Sequence, residues 1–131
     1  MYFELYLTDD ENTSLAKAID VMGGKKDGNW YCYLEYEFED LEPLPYKEVK
    51  DDERFYEVGK TDDYKVLLFD LTEEDDEIYT YRFLKLKDDV VSVFDEDDEN
   101  AMVMFIGIFT DELTQGVAKN LLAYKKIILN N

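Results

Sequence analysis

Strict alternation between apolar and polar side chains, in two separate segments, is the feature that most constrains the fold of this sequence. In residues 2–7, Phe3, Leu5 and Leu7 alternate with acidic or tyrosyl side chains, and residues 30–38 repeat the pattern over a longer run. Side chains two residues apart point to the same face of a β-strand, so each segment has one face suited to burial. Both segments therefore predict strands of a sheet that is buried on one side.

Four further runs predict the remainder of the sheet. Residues 65–71 and 77–87 are typical of the two strands of a hairpin, joined by an acidic turn at residues 72–76. A short run rich in β-branched residues at 90–94 predicts another strand. Residues 101–109 are apolar on both faces, which is typical of a central strand covered on both sides.

Two segments have the spacing of amphipathic helices. Apolar residues recur at helical spacing from Thr13 to Met22, and Gly23 with Gly24 supplies a stop after them. Residues 113–128 place apolar side chains on one stripe and lysines in the C-terminal half, where positive charge complements the helix dipole. The first segment predicts a short helix on the sheet, and the second predicts a C-terminal helix.

The segments between these elements contain residues typical of loops. Residues 25–29 predict a loop, and residues 39–45 contain both prolines of the chain, which excludes a central strand or a helix interior there. Residues 46–60 leave two alternatives open, a helical turn near Tyr46 or a short edge strand at residues 55–58.

The order of these elements predicts a fold of the α+β class. A chain of 131 residues fits one domain, since single hydrophobic cores commonly have this size. We therefore expect a single acidic domain over residues 1–131, with a mainly antiparallel sheet of about five or six strands. A short N-terminal helix and a C-terminal helix are expected to pack on that sheet.

The composition excludes several kinds of chemistry. Cys32 is the only cysteine and histidine is absent, so there is no intrachain disulfide, no Cys-ligated zinc site and no histidine-based catalysis. The acidic segment beginning at Asp95 resembles the start of an EF-hand loop, but Asn100 and Ile106 stand where such a loop needs Gly and Glu. We expect no catalytic residues, no cofactor and no dedicated metal site; weak binding of a divalent cation by clustered carboxylates stays open.

The sequence also indicates the cellular compartment in which the protein is expected. It contains no apolar run of about 18 residues that would span a bilayer, and residues 1–4 lack the basic region of a signal peptide. Strong negative charge repels nucleic acids and anionic membranes. A reducing cytoplasm is therefore the expected setting, without direct binding to nucleic acid or membrane.

The surplus of negative charge points to a basic partner. The chain has 33 Asp and Glu against 14 Lys and Arg, a formal net charge of -19. Solubility needs a net charge of magnitude only about 2–8 in a small domain, and a larger charge lowers stability by self-repulsion. We expect the excess to attract a cationic protein, the alternative being a structural acidic domain that the charge merely keeps in solution. Whether the protein is a monomer or a dimer is not decided by these features.

Tyrosines and acidic clusters supply the candidate contact residues. Tyr31, Tyr33, Glu35 and Glu37 alternate along one strand, so they share a face and place carboxylates about 7 Å apart beside tyrosyl rings. Tyr is a favoured anchor at interfaces, and carboxylates pair with Arg. The candidate partner-binding residues are Tyr31, Tyr33, Glu35, Glu37, Glu39, Asp40, Glu73, Glu74, Asp75, Asp76, Asp95, Asp97 and Asp98.

This profile of a small, acidic, tyrosine-rich α+β protein without catalytic residues resembles bacterial immunity proteins that neutralise nuclease toxins. It is also similar to phage-encoded nucleic-acid mimics, including anti-CRISPR proteins. The resemblance concerns composition and extends to no single motif. It implies an inhibitor that occupies the nucleic-acid-binding cleft of a nuclease, with nucleic-acid mimicry and a purely structural role as alternatives.

Overall fold

A computed structural model describes residues 1–22, 25–27, 30–74 and 77–114. Two helices, α1 (Ser14–Met22) and α2 (Glu99–Thr114), lie in these ranges, together with short 3-10 turns at Tyr46–Glu48 and Glu96–Asp98. The strands described are β1 (Tyr2–Thr8), β2 (Lys25–Asp27), β3 (Trp30–Glu37), β4 (Leu44–Pro45), β5 (Phe55–Lys60), β6 (Lys65–Asp70), β7 (Tyr79–Lys87) and β8 (Val90–Ser92).

The strands form one antiparallel sheet. Its main order is β2-β3-β1-β7-β6-β5, and β8 pairs with both β7 and β4. Strand β1 pairs with β7 as far as Phe83, and β8 begins to pair with β7 at Lys85. Strands β1 and β8 therefore lie in line along the same side of β7. Where the two strands meet, Met1 and Phe94 form two hydrogen bonds with each other through their nitrogen and carbonyl atoms. The predicted α+β class, with an antiparallel sheet and helices, is confirmed.

The larger core lies between α2 and one face of the sheet. Phe3, Leu5 and Phe83 from the central strands are at most 1% exposed, and Met102 and Ile106 of α2 are fully buried in the same cluster. A second apolar cluster contains Tyr2 and Leu84 together with Val49 from the segment after β4. Burial on both faces of β1 and β7 makes these two strands the centre of the molecule.

The alternating segments and the first helix are confirmed with small changes at their ends. The backbone N–H of Ala16 donates to Thr13 Oγ1 (3.2 Å), so Thr13 caps the first turn of α1. Strands β6 and β7 form the predicted hairpin. In the ambiguous region, both alternatives occur in succession, since a 3-10 turn begins at Tyr46 and Phe55–Lys60 pairs with β6.

The predicted central strand at residues 101–109 is wrong, because these residues lie within α2. Met102 and Ile106, four residues apart, are buried, whereas Val103 and Met104 are 51% and 70% exposed. That is the burial pattern of a helix with one face on the core. A run that is apolar at every position fits a period of 2 and a period of 3.6 equally well, so the pattern did not distinguish the two.

Two smaller predictions also change. Lys25–Asp27 is a short strand paired with β3 and not part of a loop. The predicted C-terminal helix at residues 113–128 falls outside the described residues apart from its first two, which end α2.

Candidate functional site

Strands β1 and β3 place tyrosines and carboxylates opposite one another. The register pairs Tyr6 with Tyr33 and Glu4 with Glu35, and residues opposite each other in a ladder share a face. The rings of Tyr6 and Tyr33 stack with centroids 6.2 Å apart. We call this the tyrosine–carboxylate face; its members are Tyr2, Glu4, Tyr6, Tyr31, Tyr33, Glu35 and Glu37.

Arg82 on β7 neutralises the charge of the most buried carboxylate of this face, that of Glu4. Its Nη2 and Nε atoms donate to Glu4 Oε1 at 2.8 Å and 3.1 Å, and the Tyr6 hydroxyl donates to the other oxygen of Glu4. The guanidinium also lies 4.1 Å from the centroid of the Tyr2 ring. Burial, followed by the hydrogen bond to Glu4, raises the pKa of Tyr6, so its hydroxyl keeps the proton that it donates.

The negative charges of the carboxylates nearer the end of β3 are less fully neutralised. Burial raises the pKa of Glu37, and the like charges of Glu35, Glu4 and Glu39 raise it further. Glu39 follows the strand, is exposed, and accepts a hydrogen bond from the Tyr2 hydroxyl at 3.3 Å. Negative charge therefore accumulates where β3 ends and β1 begins.

A cleft of about 650 Å³ lies at this same end of the sheet, and we call it the end cleft. Part of its wall is apolar, made by Met1, Phe38, Val93 and Phe94. The acidic residues that line it are Asp40, Asp95, Glu96, Asp97 and Glu99. Among the described residues, no Lys or Arg lines the end cleft, although the Met1 ammonium donates to the Phe94 carbonyl at 3.0 Å.

The acidic turn beside the end cleft is fixed by Lys85, which is only 6% exposed. Its Nζ donates to one oxygen of Asp95 and one of Asp98, each at 3.0 Å. Asp98 also accepts from the backbone N–H of Asp95 (2.9 Å), which completes a capping box ahead of α2. The hydrogen bond and the charge of Lys85 hold the pKa of Asp95 below its usual range. Glu96 and Asp97 remain exposed on this rigid turn.

The predicted contact residues form three groups: those on and just after β3, those at 95–98, and those at 73–76. The structure brings the end of the first group close to the second. Glu37, Glu39 and Asp40 lie near the end of β3, and Asp40 lines the end cleft together with Asp95 and Asp97. Two members of the second group, Asp95 and Asp98, are at the same time bound to Lys85. Tyr31, Tyr33 and Glu35 are half-buried farther along the tyrosine–carboxylate face.

The third predicted group lies elsewhere. Glu73 and Glu74 are exposed in the connection after β6, at the end of the sheet where β1 finishes. They are therefore at the opposite end from the end cleft. Asp75 and Asp76 fall outside the described residues.

Several residues near the site were not among the sequence candidates. The alternation over residues 30–38 predicts that Phe38 lies on the apolar face of its strand, yet it is 78% exposed because it stands one residue beyond the last paired position of β3. Arg82 gave no signal in the sequence, since only the β1–β7 register shows that it lies opposite Glu4. Tyr81 of β7, in contrast to Tyr31 and Tyr33, is buried in the core.

A second cleft, of about 390 Å³, differs in charge. Lys60, Lys65 and Lys87 line it together with acidic residues such as Asp62 and Asp63. Because lysines and carboxylates both line it, this cleft lacks the excess of negative charge of the end cleft.

The described residues contain no group of three or more Asp, Glu, Cys or His side chains arranged to hold a metal ion. Cys32 is buried in the core. In the same ranges no helix has both the length and the apolar character needed to cross a membrane. No protein-family model, curated protein or solved structure matches the chain.

Proposed function

We propose that the protein is a non-catalytic inhibitor that binds a basic partner protein in the cytoplasm. As the partner we propose a nuclease toxin, whose nucleic-acid-binding cleft the acidic end of this molecule would occupy, as an immunity protein does. The acidic end consists of Glu37, Glu39 and Asp40 from the β3 side and Asp95, Glu96, Asp97 and Glu99 from the turn and start of α2.

One observation supports this proposal above the others. Carboxylates more than 50 positions apart in sequence, such as Asp40 and Asp97, line one cleft that has no Lys or Arg among its described lining residues. A cationic cleft that evolved to bind phosphates would find a matching anionic surface there.

The geometry favours fast association. A concentration of one sign of charge raises association rates to about 10⁸ M⁻¹s⁻¹ or above at low salt, and this gain falls as ionic strength rises. The exposed ring of Phe38, in the end cleft, would add apolar contact that slows dissociation.

Nucleic-acid mimicry is the second candidate, favoured by the regular spacing of Glu35 and Glu37. Two residues apart on β3, they project from Cα positions about 7 Å apart on the same face, beside the flat ring of Tyr33. A mimic would inhibit several unrelated DNA-binding proteins, whereas an immunity protein protects against one toxin.

The test begins with capture of partners from a lysate of the source cells at low salt, followed by elution in a salt step and mass spectrometry. Any captured basic protein is then purified and its nuclease activity is titrated with the wild-type chain. We expect stoichiometric 1:1 inhibition that is lost in the Asp40→Asn/Asp97→Asn double variant.

The matched control is Glu73→Gln/Glu74→Gln, which removes the same charge at the opposite end of the sheet. Equal loss of inhibition in both double variants would show that only net charge matters and would contradict a contact surface at the acidic end. Inhibition of many unrelated DNA-binding proteins would instead identify a mimic.

A further inference from the structure

We infer that the end cleft binds an arginine side chain of the partner, with Phe38 as the surface on which the guanidinium stacks. This inference rests on the proposed function and names the chemistry by which the partner is recognised. It arises from an exposed aromatic ring that stands within a cleft lined by carboxylates.

Phe38 is positioned to offer a ring face. Its ring contacts that of Tyr36 at a centroid distance of 4.8 Å, and 78% of the residue remains exposed. Tyr36 is itself fixed, because its ring packs edge-on against Phe3 at 4.6 Å and its hydroxyl donates to Met1 Sδ at 2.9 Å. The aromatic wall is thus supported from the core side and free on the solvent side.

The acidic side of the end cleft is also preorganised. Lys85 and the capping box hold Asp95 and Asp98, so the turn that carries Glu96 and Asp97 has a defined conformation. A rigid anionic rim lowers the cost of ordering side chains on binding. Its charge complements a cation and repels an acidic or phosphorylated segment.

Arginine fits this combination better than lysine. Its planar guanidinium stacks on an aromatic face while its N–H groups donate to carboxylates, and it is less strongly hydrated than an ammonium group. The apolar wall next to Phe38 suits the methylene stem of the same side chain. A volume of about 650 Å³ lies within the usual range of about 300–1,000 Å³ for ligand sites.

The test is an NMR titration of the isotope-labelled full chain with a hexa-arginine peptide and, separately, a hexa-lysine peptide. We expect the arginine peptide to shift the resonances of Phe38, Val93 and Asp97 and to bind about fivefold to tenfold more tightly than the lysine peptide. Phe38→Ala and Phe38→Leu should both remove that preference, whereas Phe38→Trp should keep it.

The matched control is Met104→Ala, which truncates another exposed apolar side chain, 70% exposed, on α2 outside the cleft lining. Equal affinities for the two peptides, or equal responses of the Phe38→Ala and Met104→Ala variants, would overturn the inference. The peptides require no natural partner, so failure here leaves the inhibition assay of the proposed function as an independent result.

Discussion

At the scale of single residues, Lys85 links the sheet to α2. Its ammonium is buried on the helix side of β7, bonds to Asp95 and Asp98, and lies 5.6 Å from the ring centroid of Tyr64. Burial alone would lower the pKa of Lys85, but the two carboxylates outweigh it and the pKa is raised. The side chain therefore stays charged and fixes the turn in front of α2.

We predict that Lys85→Met lowers the free energy of unfolding by about 1–2 kcal/mol near neutral pH. This is less than for a fully buried pair, because Asp95 has 77% of its side chain exposed and water screens its charge. Urea unfolding checks the value, with Lys87→Met as a control that removes the same charge from an exposed position. Equal effects of the two substitutions would show that Lys85 acts through net charge alone.

The pH dependence of this ion pair has a defined sign. Because the pKa of Asp95 is lowered on folding, its contribution to stability is present above about pH 4 and is lost as pH falls through the folded value. Because the pKa of Lys85 is raised, its contribution is lost only as pH rises above about 10. The stability difference between the wild-type protein and Lys85→Met should thus shrink below pH 4; a constant difference would contradict this assignment.

Asp88 and Asp89 form the two-residue turn between β7 and β8 in a strained backbone conformation. Their φ angles are 53° and 62°, in the left-handed region, and Lys87 pairs with Val90 across the turn. Such turns favour Asn-Gly. We predict that Asp89→Gly raises the free energy of unfolding by up to about 1 kcal/mol, since Gly adopts this φ without strain.

Asp88→Ala is the matched control for that prediction, because it removes one charge from the same turn but adds a residue poorly suited to positive φ. Thermal unfolding should show a higher Tm for Asp89→Gly and a lower Tm for Asp88→Ala. Two equal increases would mean that relief of charge repulsion, and not the backbone, determines the effect.

At the scale of secondary-structure elements, α2 packs against the irregular edge strand β5. The β5–β6 register shifts between Glu57 and Gly59, and a Cβ atom on Gly59 would collide with the ring of Phe105. We predict that Gly59→Ala costs about 1 kcal/mol of stability, at the low end for overpacking because an aromatic ring can move aside. The Gly59→Ala/Phe105→Ala double variant should lose less than the sum of the two single losses, as measured by a double-mutant cycle. Strict additivity would exclude the contact.

These elements also show which parts of the fold could be predicted from sequence patterns. The sequence predicts β1 and β3 because their apolar residues alternate with a period of two. It predicts α1 because helical spacing of apolar residues coincides with a capping residue, Thr13, at the start. The helix at residues 101–109 was not predictable, since a run that is apolar throughout contains no period. Only the burial in the structure reveals which of its side chains face the core. The acidic segment at residues 95–98, whose pattern resembles the start of an EF-hand loop, instead forms the capping box that precedes the helix.

At the scale of the whole molecule, the sequence predicted which residues of β3 share a face but not which acidic clusters meet. That Tyr33 and Glu35 share a face follows from the two-residue period of a strand alone. That Asp40 and Asp97 line one cleft depends on β8 lying in line with β1, a long-range pairing that local patterns do not encode. For the same reason the separation of Glu73 from this cleft was not predictable.

The net charge of -19 has a consequence for the stability of the whole chain. Like charges on a small body repel one another, and salt screens this repulsion, since the Debye length falls from about 30 Å at 0.01 M to about 8 Å at 0.15 M. Partly buried pairs such as Arg82–Glu4, with side chains 21% and 11% exposed, are screened much less. The loss of repulsion should therefore exceed the loss of attraction.

We predict that the free energy of unfolding rises when NaCl is increased over this range, with a urea titration at each concentration as the measurement. MgCl₂ at equal ionic strength is the control: an equal rise means general screening, whereas a larger rise means that clustered carboxylates bind the divalent cation. A fall in stability with NaCl would show that attractive pairs such as Arg82–Glu4 and Lys85–Asp95 outweigh the repulsion among the carboxylates. In that case the acidic surface would cost the fold little, and its charge would no longer support the basic partner that we propose.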